Sequence, residues 1–291
     1  MGRKPNVAKP PTNPGPSELQ ATLLTIFRGP SYRPPVLPSV AIELTELTRK
    51  TSVSYDEVVS VLQKDPMIVA GVLKVAQSPV YGGRPVQSLK EAIARLGINT
   101  LRDIVWQVVA GLRLFRVKGY TAIMERLQGH SMFMAYMARA IASRAGIAAE
   151  HAFLCGLLHD VGISGTLIAL AEVERKLPEL GTLLEAVDGM HDQAGGQMAK
   201  LWGLSPEIAK VIERHHQRGG DVSDGPALVA VLCAAEHYAD ICSFSVFDSG
   251  TSYDQHPPGR FDQAMLRLRL AHKQDDLRDE AEALAARLRA G

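Results

Sequence analysis

What most limits the folds open to this chain is the period of its apolar residues, which recurs at helical spacing in segment after segment and nowhere alternates over strand length. In "LPSVAIELTELTRK", Val40, Leu44 and Leu47 share one stripe, with Ser39 placed to cap the helix. Ser54 with Glu57 opens "YDEVVSVLQKD" as a capping box, and Asp65-Pro66 marks a break before "PMIVAGVLKVAQ". The prolines and glycines of "SPVYGGRPV" predict a turn. Ser88 with Glu91 then caps "LKEAIARLG", Gly97 closes it, and Asn99 or Thr100 opens "LRDIVWQVVAGLRLF". Farther on, Phe133, Met134, Met137, Ala138 and Ile141 make one apolar face. "IALAEVERKL", "LLEAVDGMHDQAGGQMAKLWG", "SPEIAKVIERHHQ" and "PALVAVLCAAEHYADICSF" each read as a helix punctuated by Gly or Pro. The expected fold class is all-α.

Two stretches fall outside this pattern. Residues 1–17 hold Pro5, Pro10, Pro11, Pro14 and Pro16 among Gly, Asn and Lys, too little apolar surface to offset ordering, and predict a flexible tail. Asp248 to Arg260, polar and carrying Pro257-Pro258, predicts a loop. After it, Leu277, Ala281, Leu284 and Leu288 line one face of an amphipathic helix that would dock on its own protein.

Composition restricts the partners. A formal net charge of +1 leaves no global field to draw the chain to DNA, RNA or an anionic membrane, so neither nucleic-acid nor membrane binding is expected. No apolar run is expected to approach the roughly 20 residues that span a bilayer. The basic start has no apolar stretch behind it, and the cytoplasm is the expected compartment. Cys155, Cys233 and Cys242 lie in apolar segments without a C-x-x-C pair and read as reduced core residues. Trp106, Trp202 and the cluster Met132, Met134 and Met137 read as core too, whereas His151, His237, His256 and His272 read as surface or loop residues.

The chemistry sits in "FLCGLLHDVGISG", where His159 and Asp160 stand side by side in an otherwise apolar run. Neighbours on a helix point about 100° apart, so both can face one interior point only where a helix ends or lines a cavity. Two explanations follow: a metal, or a buried hydrogen-bonded pair. His130, His191, His215-His216 and Glu236 lie on other predicted helices of the same half. Imidazoles and carboxylates are ligand types of Zn, Mn, Fe and Ni, and a helical bundle can converge them on its interior. Each has a structural alternative: His215 and His216 as helix C-terminal residues facing the dipole, His191 as a cap, Glu236 as a buried partner of a histidine.

In order along the chain, H...HD...H...HH...acid resembles the HD superfamily of metal-dependent phosphohydrolases, and "AFLCGLLHDVG" resembles its central helix. A narrower resemblance, to the HDOD domain (HD-related output domain) of bacterial signalling proteins, rests on six segments in order. These are "LPSVAIELTEL", "LQKDPMIVAGVLKVAQSPVYGG", "SLKEAIARLGINTLRDIV", "GHSMFMAYMARAIA", "HDQAGGQMAKLWGLSPEIAKVIERHH" and "VLCAAEHYAD". It implies a helical lobe over 18–115, an HD-like helical lobe over 116–247, and a loop with a C-terminal helix over 248–291. It also implies a regulatory module that binds a signalling protein or a small nucleotide, with a homodimer among the allowed assemblies. The alternative is a phosphohydrolase acting on a nucleotide or another phosphate ester, with Asp160 as its catalytic residue.

By position the resemblance makes His130, His159, Asp160 and Glu236 the metal ligands, with His191, His215 and His216 for a second ion or phosphate. The metal implied is divalent: Mn, Fe, Ni or Zn. Three departures from the pattern bear on activity: the first on metal geometry, the second on phosphate binding, and the third on cyclic-di-GMP hydrolysis, which is therefore not expected. Glu236 falls where Asp is usual; Ile163 and Ser164 occupy the place of a common lysine; and "QRGGDVSDGP" follows His215-His216 in place of a glycine-tyrosine-proline signature.

Overall fold

The computed structural model describes residues 15–290 except 30, 31, 33, 36, 51, 110, 112, 113, 116, 118, 174–179, 189, 217–221, 223, 224 and 247–258. Among the described residues there is no strand, as the apolar period predicts. The α-helices in order are α1 Pro16–Arg28, α2 Ser39–Leu47, α3 Tyr55–Leu62, α4 Pro66–Ala76, α5 Leu89–Leu96, α6 Ile98–Val109, α7 Thr121–Ala145 and α8 Ala149–Leu158. They continue as α9 Val161–Val173, α10 Leu180–Asp188, α11 His191–Leu201, α12 Pro206–Arg214, α13 Ala227–Ile241, α14 Arg260–Arg267 and α15 Gln274–Ala290.

The capping chemistry sets several boundaries. Ser54 accepts from the Glu57 amide while Glu57 accepts from the Ser54 amide, and Asp65 accepts from the amides of Met67 and Ile68. Ser39, expected as a cap, is the first residue of α2 and Pro38 holds the cap position. α6 begins at Ile98, earlier than the predicted Asn99 or Thr100.

Helices α2 to α6 pack on one another, and α7 packs against α8, α13 and α15. α11 lies between α9 and α12. α1, which the expected boundaries put in the first lobe, packs against α10 and α9, burying Leu19, Leu23 and Phe27. That burial also draws Pro16 and Ser17, predicted as tail, into a helix; Pro5, Pro10, Pro11 and Pro14 lie outside the described residues.

A charged network joins the two sets of helices. Arg139 of α7 donates from both terminal nitrogens to Asp103 of α6 at 2.7 Å and stacks 4.0 Å over Phe153 of α8. The buried Arg102 of α6 pairs with Glu150 of α8 at 2.7 Å. Paired and bidentate, these charges fix orientation between helices more than they add stability.

Several side-chain readings change. Trp106 is core, donating to Thr45 Oγ1 at 2.9 Å, but Trp202 is half-buried and donates to the Pro35 carbonyl at 2.8 Å. The stretch Ala149–Ala171, contrary to expectation, is long and apolar enough to span a bilayer by length and composition; 94% of its most apolar window is buried inside the protein. Its apolar residues are those of a central core helix pair, α8 and α9.

Candidate metal centre

α8 ends at Leu158 and α9 begins at Val161, so His159 and Asp160 form the turn between them. The break in the helix is what lets adjacent side chains face one point. Close helix approach makes the rest of the site. A Cβ on Gly156 would lie 2.5 Å from the Met134 carbonyl oxygen, so only glycine lets α8 meet α7, which carries His130. A Cβ on Gly162 would lie 1.9 Å from the His191 carbonyl oxygen, and its absence lets the first turn of α9 meet the start of α11.

The structure brings all seven predicted residues together. His130 comes from α7, His191 from the start of α11, His215 and His216 from the end of α12, and Glu236 from α13. His130, His159, Asp160, His191 and His215 are buried, and the Glu236 side chain is 16% exposed. Asp160 is at the centre. Its Oδ2 lies 3.5 Å from His159 Nε2 and 3.7 Å from His130 Nε2. Its Oδ1 lies 3.2, 3.5 and 4.0 Å from Nε2 of His215, His191 and His216. Glu236 closes the first side, 3.6 Å from His130 Nε2 and 3.7 Å from His159 Nε2.

Four rings are aimed by the backbone. Nδ1 of His130 meets the Phe244 carbonyl at 2.9 Å, that of His159 the Gly156 carbonyl at 2.8 Å, and that of His215 the Ile212 carbonyl at 2.6 Å. His191 Nδ1 meets the Asp188 carbonyl at 3.2 Å. A carbonyl only accepts, so each Nδ1 carries the proton and a neutral ring presents a bare lone pair at Nε2. Yet Nε2 of His130 faces Nε2 of His159 at 3.0 Å, and Nε2 of His191 faces Nε2 of His215 at 3.3 Å. Two lone pairs at that distance need a cation between them.

A proton is the poorer choice of cation. Burial lowers the pKa of His130 and His191 and takes His159 down to about 3, so the rings resist becoming imidazolium. Burial pushes the Asp160 carboxyl up, but His159, the hydrogen bond with His215 and His191 outweigh it and hold Asp160 well below the usual carboxylate range.

The spacing fits a metal ion. Ligands about 2.1 Å from one ion stand roughly 3.0 to 3.4 Å apart at octahedral or tetrahedral angles, which the two imidazole pairs match. Two groups can hold an ion, His130 with His159 and Asp160, and Asp160 with His191, His215 and His216, and the shared carboxylate could bridge them. The proton placement on Nδ1 is the usual arrangement of metal-binding histidines.

Sequence reasoning missed Arg260. Expected at the end of a loop, it starts α14, is buried, and donates from Nη2 to the His215 carbonyl at 2.7 Å. With His159, His215, His216, Leu232, Cys233 and Glu236 it lines a cavity of about 10 Å³. The helical spacing of Phe261, Ala264, Met265 and Leu268 was the available signal, set against the proline pair before it.

Ile163 and Ser164 face inward, Ser164 donating to the Leu114 carbonyl. His237, expected at the surface, is partly buried on α13, its ring 3.8 Å from Phe261. His151, also expected there, is 19% exposed; His272 is exposed, and His256 lies outside the described residues.

The profile of the HDOD domain family matches residues 35–218. Ribonuclease Y of Dehalococcoides mccartyi is 29% identical over 131 residues, which are 45% of this chain and 20% of that protein. Ribonuclease Y of Mycoplasma mycoides is 28% identical over 150 residues, 50% of this chain and 31% of the relative. The chain thus spans between a fifth and a third of the length of these two relatives. Among solved structures, a Shewanella amazonensis protein provisionally described as a metal-dependent phosphohydrolase superposes with a TM-score of 0.65 at 20% identity, covering 94% of this chain and 99% of that one. A Geobacter sulfurreducens HDOD domain protein with unknown function superposes with a TM-score of 0.58 at 23% identity over 94% and 99% of the two chains. At these identities the superpositions show a shared fold.

Proposed function

We propose that this chain, which belongs to the HDOD family, is a regulatory module whose HD-like pocket holds a divalent metal and whose output is binding of a signalling protein or small nucleotide, without turnover. The observation that carries this reading is the small size of the cavity beside the cluster among the described residues. That cavity of about 10 Å³ is near the lower limit for one water, whereas small-molecule sites run to about 300 to 1,000 Å³. Among the described residues, the cavity that His159, His215, His216, Glu236 and Arg260 line is too small for a phosphate ester. The ligand set, by contrast, is well placed for Mn, Fe, Ni or Zn, and an ion there would bind together α7, the turn between α8 and α9, α11 and α12.

A second reading, phosphoester hydrolysis, is favoured by the convergence of five imidazoles on Asp160 at 3.2 to 4.0 Å. A bound divalent ion would polarise a phosphoryl oxygen and acidify water. Asp160 would bridge or orient, and the carbonyls on each Nδ1 would keep the rings aimed. Ribonuclease Y, by name, acts on a phosphodiester polymer, but the net charge of +1 gives no support to a polyanionic substrate here.

The two readings separate in one experiment. Protein purified without a histidine tag or chelator is analysed for metals as wild type and Asp160→Asn, and both are assayed on bis-p-nitrophenyl phosphate. The regulatory reading expects near-stoichiometric metal in wild type, its loss in the variant, and no turnover in either. Turnover by wild type that disappears in Asp160→Asn establishes the hydrolase. Wild type that stays metal-free after reconstitution overturns the metal centre.

A further inference from the structure

A second cavity, of about 400 Å³, lies between α7 and α15, away from the metal cluster. Its walls are two facing helical stripes. Tyr136, Arg139, Ala140, Ser143 and Arg144 come from one face of α7, and Glu280, Ala283, Leu284 and Arg287 from one face of α15. Small residues stand in the middle of both stripes, at Ala140, Ser143 and Ala283, where a closed helix contact would carry larger apolar side chains. The result is a cleft with a small-residue and Tyr136 floor, rimmed by guanidinium groups.

The charges are unevenly committed. Arg139 is held by both oxygens of Asp103 at 2.7 Å. Arg144 pairs with Glu280 at 2.6 Å across the cleft. Arg287 pairs with no carboxylate among the described residues; its guanidinium stands 5.3 Å over the Tyr136 ring. The lining thus carries one guanidinium paired with Glu280 and, about two helical turns farther along both helices, a second over Tyr136.

We propose that this cleft binds a small ligand carrying a diphosphate, which spans from Arg144, where Glu280 holds one anionic position until the ligand arrives, toward Arg287 beside Tyr136, with the ligand's body on Ala140, Ala283 and Tyr136. A phosphate dianion carries twice the charge of the carboxylate it displaces and offers more acceptor oxygens to the planar guanidinium forks. The volume suits a mononucleotide or a phosphorylated metabolite. This inference does not depend on the metal centre.

The test is calorimetric titration of the full chain with inorganic pyrophosphate and with ADP, at low and moderate salt, with and without chelator. Saturable binding at one site is expected, weakened by salt and unchanged by chelator. Arg287→Gln and Arg144→Gln should each weaken it about tenfold or more, the scale of a lost charged hydrogen bond. Glu280→Gln should tighten it by about two- to fivefold, since a competing surface ion pair is removed. A gain of affinity cannot come from misfolding, so Glu280→Gln keeps the test decisive if either arginine variant folds poorly. No saturable binding by wild type and Glu280→Gln, affinity indifferent to all three substitutions, or binding abolished by chelator would each overturn the proposal. Tighter binding of ADP than of pyrophosphate would place the ligand body on the cleft floor, as proposed; equal affinity would overturn that part.

Discussion

Replacing Gly162 by alanine sets two effects of opposite sign against each other. Alanine in place of glycine inside a helix gains about 1 kcal/mol. Here the added methyl would lie 1.9 Å from the His191 carbonyl oxygen and 2.7 Å from the Gly195 amide nitrogen, where real Cβ contacts essentially never fall below 3.0 Å. Both obstacles are backbone, so no side chain can swing aside and α9 and α11 must part by about 1.1 Å. Overpacking of this kind costs about 1 to 3 kcal/mol, and a contact with backbone belongs at the upper end. The clash wins, for a net loss of about 1 to 2 kcal/mol. At about 2.1 cal/mol/K per residue, a chain of 291 residues unfolds with an entropy near 0.6 kcal/mol/K, so Tm should fall by about 2 to 3 °C. Metal binding at the proposed centre should be lost too, because His191 opens α11 and metal–ligand distances tolerate only about 0.2 Å. Gly181→Ala is the control: its Cβ meets nothing within 4 Å, so propensity acts alone and Tm should rise by about 1 to 2 °C. Thermal melts followed by circular dichroism, paired with metal analysis, read both. If Gly162→Ala melts at or above wild type and tracks Gly181→Ala, the close approach of α9 to α11 is wrong, and the assembly of the second ligand group with it.

Arg260→Gln withdraws the donor from the buried His215 carbonyl, and should lower stability by about 1 to 3 kcal/mol in chemical denaturation and reduce metal content without moving Gly162. Thr45→Val leaves the buried Trp106 indole N–H without its acceptor, for a loss of about 1 to 3 kcal/mol, and the double variant with Trp106→Phe should lose less than the sum of the two single losses; additive losses would refute the coupling. Burial raises the pKa of Cys155 and Cys242 and takes Cys233 up to about 11, so at pH 8 all three thiols stay protonated. Iodoacetamide should leave the native protein unlabelled and modify three thiols in denaturant; rapid native labelling at any one would contradict its burial.

Much of the helical pattern was readable because local chemistry decides it. The capping box of Ser54 and Glu57, the Asp65-Pro66 start and the Gly97 stop act within a turn or two of chain, where sequence neighbours are also spatial neighbours. The apolar stripe over Leu277, Ala281 and Leu284 likewise reports a buried face whatever lies against it. Errors arose where tertiary contact outweighs composition. Pro16 and Ser17 join a helix because Leu19, Leu23 and Phe27 find α9 and α10, and nothing within residues 1–28 names those partners. Arg260 looked like the end of a loop because its role depends on a carbonyl 45 residues upstream.

For the candidate site, the sequence by itself determined the ligand types and their order: His130, the His159-Asp160 pair, His191, His215-His216 and Glu236. Residue chemistry and a family resemblance suffice for that. Only the tertiary structure decided that Asp160 stands between two groups of imidazoles, that four Nδ1 atoms are held by carbonyls, and that Nε2 lone pairs face one another at 3.0 and 3.3 Å. It also decided that the surrounding cavity is about 10 Å³, and that a larger one opens between α7 and α15. Those are distances between atoms far apart along the chain, set by how closely glycine-bearing helices approach, and the period of a sequence encodes which face is buried but not how near the next helix comes.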